Sequence, residues 1–134
     1  MKMIMMKRAV AAGAAAVAGV FGLGLASAPS AHADQVRVWR WDDTVQTTYN
    51  DTRNALCGMD LAKDGHSIYV AYHFSGGPTH KIWVHTGQYR MECHTFSSAN
   101  ENRTVYFKAC TGEWATDPSN RRTIRCSGTH SFWV

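Results

Sequence analysis

Residues 81–94 read Lys81-Ile82-Trp83-Val84-His85-Thr86-Gly87-Gln88-Tyr89-Arg90-Met91-Glu92-Cys93-His94. Apolar and polar side chains alternate on both sides of Gly87-Gln88, which is the period of an extended strand with one buried face. A glycine at the first central position suits a two-residue hairpin turn. The spacing therefore predicts a hairpin that pairs Thr86 with Tyr89, Val84 with Met91 and Ile82 with Cys93. One face would carry Ile82, Val84, Thr86, Tyr89, Met91 and Cys93. The other would carry Lys81, Trp83, His85, Arg90, Glu92 and His94. A slip of one residue would mix the two sets, so one-sided burial selects this register.

The same alternation extends outward along the chain. Residues 36–41, 68–74, 104–111, 123–127 and 131–134 read as strands, separated by clusters of Gly, Pro, Asn and Ser. Ile68, Val70, Tyr72 and Phe74 join the apolar face, as do Val105, Phe107 and Ala109. Tyr69, His73, Tyr106 and Lys108 then point outward. One short helix is expected within 42–56, capped by Asp42 or Asp43, with Val45, Tyr49 and Leu56 on one side. The expected fold is all-β: a small antiparallel meander closed into a sandwich or barrel, with two disulfides and at most one short helix.

The four cysteines are Cys57, Cys93, Cys110 and Cys126. No Cys-x-x-Cys pair occurs, so the set reads as two disulfides rather than as a metal site. Of the three connectivities, Cys110–Cys126 with Cys57–Cys93 is favoured. The midpoint between 110 and 126 falls in Asp117-Pro118-Ser119-Asn120, a strong turn signal, so these two cysteines would face each other across a hairpin. Strand parity puts Cys110 on the outward face, which requires either a bulge or a sheet covered on both sides.

Met1–Ala33 has the form of a cleavable secretory signal. Lys2, Lys7 and Arg8 precede an uncharged Ala- and Gly-rich run, and Ala31-His32-Ala33 ends it as a small-x-small cleavage site. The expectation is a secreted, extracellular protein of bacterial type, whose domain spans 34–134 with no membrane attachment after cleavage. Of the 14 basic residues, three lie in the leader, leaving 11 against 10 acids. A net charge of +1 does not supply the basic surface that grips a phosphate backbone, which sets nucleic-acid binding aside.

Two places in the remaining 101 residues are candidate sites. The first is the loop closed by Cys110 and Cys126, with Trp114, Asp117, Arg121 and Arg122; Trp with Arg on a stapled loop is a common interface anchor. Its bland alternative is Trp114 folded back as a lid. The second is the outward sheet face. There Glu92 with His85 or His94 would be a proton-transfer set and Arg90 an anion holder, as cleavage of an RNA phosphodiester requires. An ordinary wet sheet face would show the same mixture. The preferred reading is a small secreted binding domain for an extracellular protein or a cell-envelope polysaccharide. A ribonuclease-type hydrolase and a structural envelope or coat component are the alternatives. No cofactor and no metal are expected.

Overall fold

In the computed structural model, residues 35–134 are described; the expected leader lies outside the described residues. Nine strands follow one another: β1 (Val36–Trp41), β2 (Val45–Asn50), β3 (Ala55–Asp60), β4 (Ser67–Phe74), β5 (His80–Val84), β6 (Met91–Thr95), β7 (Thr104–Glu113), β8 (Arg122–Cys126) and β9 (His130–Trp133). They form two antiparallel sheets. The first has the order β1-β2-β3-β6, the second β5-β4-β7-β8, with β9 pairing the early half of the long strand β7.

The inner faces meet in one core, so the fold is a sandwich rather than a closed barrel. Tyr49 and Leu56 come from the first sheet, and Val70, Tyr72, Val105 and Phe107 from the second. Val45 packs with Ile68, Val84 and Ala109 at one end. Gly58 faces the second sheet closely: a Cβ there would meet Val70 Cγ2 at 2.9 Å.

The expected helix within 42–56 does not form. Asp42 and Asp43 instead make a left-handed turn, with φ of 51° and 50°. Val45, Thr47 and Tyr49 are all buried at a spacing of two, the signature of a strand. Leu56 reaches the core from the next strand, opposite Tyr49. Among the described residues, the only helical elements are 3₁₀ turns at Ser98–Asn100 and Pro118–Asn120.

The expected hairpin over 81–94 is also absent. β5 pairs β4 in the second sheet, whereas β6 pairs β3 in the first. Gly87, at φ +117°, and Tyr89, at φ +61°, swing the chain from one layer to the other. Gln88 Nε2 donates to the Leu61 carbonyl at 3.1 Å, which ties the crossing to the end of β3. Ile82 and Val84 do face the core, but Met91 and Cys93 are exposed on the outside of the first sheet. Alternation is identical for a hairpin and for a crossing between layers, so periodicity cannot separate them.

Both disulfides have the favoured connectivity. Cys110 sits directly opposite Cys126 across β7 and β8, and the Pro118–Asn120 turn lies in the loop between them. Cys57 sits opposite Cys93 across β3 and β6, on the outward side of the first sheet. The difficulty over Cys110 resolves in favour of coverage on both sides. It points away from the core and is 0 % exposed, because Tyr69, Ala71, Trp83 and Cys126 pack around it.

Candidate functional site

The outward face of the second sheet carries side chains in successive rows set by the register. Trp83, Tyr69 and Cys110 share one row across β5, β4 and β7. Lys81, Ala71 and Lys108 share the next. His73 and Tyr106 follow on β4 and β7, and Trp133, opposite Thr104 on β9, lies beyond them. The row of two lysines therefore lies between a row holding Trp83 and Tyr69 and a row holding His73 and Tyr106.

The first aromatic row is a packed cluster. Tyr69 and Trp83 have ring centroids 4.4 Å apart, and Trp114 meets Trp83 edge-on at 5.6 Å. His85 stacks parallel on Trp114 at 4.2 Å, and the Arg121 guanidinium lies 3.5 Å from the Trp114 ring centre. Arg121 Nε also donates to the Ala115 carbonyl at 2.8 Å, which fixes the head over the ring. The hydroxyls of Tyr69 and Thr123 are 2.5 Å apart. Gly112 makes room for this assembly: a Cβ there would clash with the Arg122 carbonyl and sit 3.1 Å from the Trp83 ring. The β7–β8 register shifts at that point, the bulge that lets the loop fold back over the sheet.

The stapled-loop candidates thus divide. Trp114 and Arg121 come together on the sheet, and Trp114 lies back over the outward cluster rather than over the core. Asp117 caps the Pro118–Asn120 turn by accepting from the Ser119 N–H at 2.9 Å. That hydrogen bond holds its carboxyl below the usual carboxylate range. Arg122 begins β8 opposite Glu113 and is exposed.

The proposed proton-transfer set does not assemble on one face. His85 belongs to the aromatic cluster just described. Arg90 lies in the crossing, where its carbonyl accepts from the Asp60 N–H at 3.2 Å. Glu92 and His94 are on β6 in the first sheet, opposite Gly58 and Leu56. The His94 ring packs against Tyr72 and Phe96 at 5.4 and 5.3 Å, as an aromatic edge of the core. The reason is the crossing itself: it moves 91–94 to the other layer and reverses their parity, so Met91 and Cys93 face outward while Glu92 and His94 fall on the side of Gly58 and Leu56.

Between the aromatic rows runs a groove of about 300 Å³, floored by Ala71 and lined by Lys81, Lys108, His73 and Thr79. Among the described residues, no carboxylate lines it. A second cleft of about 380 Å³, at the end of the sandwich, includes Asp60, Lys63, His66, His85 and Gln88. Asp60 is 2 % exposed; its Oδ1 accepts from the Ala62 N–H at 3.0 Å, and burial raises its pKa above the usual carboxylate value. Sequence reading passed over Asp60, although it closes the inward series Leu56, Gly58, Asp60. It passed over Ala71 as well, because an alanine carries no chemistry until two lysines flank it. Among the described residues, no three His, Cys, Asp or Glu side chains converge as metal ligands, and no helix is long and apolar enough to cross a membrane.

No protein-family model matches the chain, and no curated protein or solved structure matches it either.

Proposed function

We propose that this protein is a small secreted binding domain whose ligand docks on the outward face of the second sheet. The observation that carries the reading is the Tyr69, Trp83, Trp114, His85 and Arg121 assembly. Tyr69 is buried over Cys110 there, while Trp83, Trp114 and Arg121 stay partly exposed and His85 exposed on the outward side. Apolar residues scattered singly on a surface need no explanation, whereas a contiguous, partly exposed aromatic patch marks an interaction site. Holding these groups in place before contact reduces the entropy lost on binding. Flat, partly exposed rings beside cationic heads suit an extended polymer such as a cell-envelope polysaccharide.

Secretion is supported by the Met1–Ala33 pattern and by two disulfides, which persist in oxidising compartments. Sequencing the N-terminus of exported material tests that part, with Asp34 as the expected first residue; an intact Met1 overturns it.

Retention on insoluble cell-wall polysaccharide tests the binding reading. Wild-type protein is expected to be retained, and Trp114→Ala and Trp83→Ala to elute early with an unchanged far-UV spectrum. Retention that neither substitution weakens, or no retention at all, overturns it.

A further inference from the structure

We propose that the Lys81–Ala71–Lys108 row binds the anionic group of a carbohydrate chain, so that the ligand of this face is a polyanionic glycan. The inference rests on the binding reading above and specifies its ligand chemistry.

Lys81 and Lys108 both pair with Ala71, one from each neighbouring strand. Their backbones are therefore about 9–10 Å apart, two strand spacings. The two ammoniums share one sheet face, and among the described residues neither is ion-paired with a carboxylate. The ion pairs among the described residues are Arg37–Asp51, Arg125–Asp42 and His66–Glu113, none of which includes either lysine. Between the two lysines, the floor is a methyl group rather than a longer side chain. An anion seated over Ala71 would have an ammonium on each side, with His73 and Thr79 lining the same groove.

The row is also directed. Lys81 Nζ lies 4.8 Å from the centre of the Tyr69 ring, so its charge leans toward the Trp83–Tyr69 row. A polymer crossing the face meets rings, then paired ammoniums, then the His73–Tyr106 stack at 5.4 Å. Sugar rings offer C–H faces to aromatic side chains, and an acidic substituent offers the charge. Two lysines in one row match a polymer with sparse anions. A nucleic acid carries a phosphate at every nucleotide and calls for a longer basic track. The row does not distinguish carboxylate from phosphate; either presents anionic oxygens to an ammonium.

The test is affinity electrophoresis of the purified protein through gels containing polygalacturonate, poly(glycerol phosphate), neutral dextran or polyuridylate, at low and high salt. Retardation by one or both anionic glycans, lost at high salt, is expected; which of the two retards identifies the anion. The Lys81→Gln/Lys108→Gln double variant is expected to weaken that binding roughly tenfold or more, since two charge-assisted contacts disappear. The Lys81→Arg/Lys108→Arg variant is expected to keep it. Should the double variant fail to fold, the single variants Lys81→Gln and Lys108→Gln decide the same point: each is expected to weaken the binding, and unchanged binding in both overturns the assignment.

Equal retardation by dextran, sensitive to Trp114→Ala but not to the lysine substitutions, overturns the anion inference and leaves the binding reading standing. Preference for polyuridylate overturns the glycan. No retardation in any gel, together with no retention on cell-wall material, overturns both.

Discussion

The backbone N–H of Tyr89 donates to the carbonyl of Asp60 at 2.7 Å. With the return bond from the Asp60 N–H to the Arg90 carbonyl, it fastens the chain leaving β5 to the end of β3. β6 therefore starts in register beside β3, which brings Cys93 opposite Cys57. Asp60 is held at both backbone groups while its carboxylate is buried, and this makes its ionisation a stability question.

Burial raises the Asp60 pKa in the folded state, so the native chain holds this proton more tightly than the unfolded chain does. The contribution is most favourable below the ordinary aspartate value of about 3.9, and it is lost as pH rises from there through the raised folded value. Asp60→Asn removes the titration and keeps an oxygen for the Ala62 N–H. Urea unfolding at several pH values is expected to show the variant gaining on wild type as pH increases across that window. A difference that stays constant with pH would contradict the assignment.

Thr47 points into the sandwich, and its buried hydroxyl has no hydrogen-bond partner among the described residues. Valine has nearly the same shape and no polar atom to leave unpaired. Thr47→Val is expected to stabilise the domain by about 1 kcal/mol in chemical denaturation. A loss of stability of similar size would mean that the hydroxyl is satisfied in solution.

Gly112 admits both the Arg122 carbonyl and the Trp83 ring. Gly112→Ala is expected to cost about 1–3 kcal/mol, as overpacking of a filled site does. It should also loosen Trp114 from Trp83, read as increased quenching of tryptophan fluorescence by iodide. Unchanged quenching and stability would show that the bulge relaxes freely.

The two disulfides differ in access: Cys110 is fully buried, whereas Cys93 is exposed. Limited reductant followed by alkylation is expected to label Cys57 and Cys93 first. Replacing either pair by serines is expected to cost about 3–4 kcal/mol from the loop-closure entropy restored to the unfolded chain. Labelling of Cys110 and Cys126 first would place the more open bridge in the second sheet.

Sequence alternation identified almost every inward residue of β4, β5 and β7, because one-sided burial imposes a period of two. It also located the Cys110–Cys126 hairpin, since a turn at the midpoint of two strands leaves little choice of register. It failed at Gly87-Gln88, where a turn within a layer and a crossing between layers require the same local pattern. It failed at 42–56, where polar and apolar residues fit a helical spacing as well as a strand–turn–strand. The candidate proton-transfer set fell with the hairpin. The Trp114–Arg121 pair, chosen from residue type alone, came together.

The sequence by itself determined that this chain builds β structure around two sulfur bridges, because period-two patterning and cysteine count are local and additive. Only the tertiary structure decided which strands share a layer. Layer membership depends on backbone hydrogen bonds between distant segments, such as Tyr89 to Asp60, and no side-chain pattern encodes these. The acid-free row at Ala71 exists only because strands separated in sequence pair in that register.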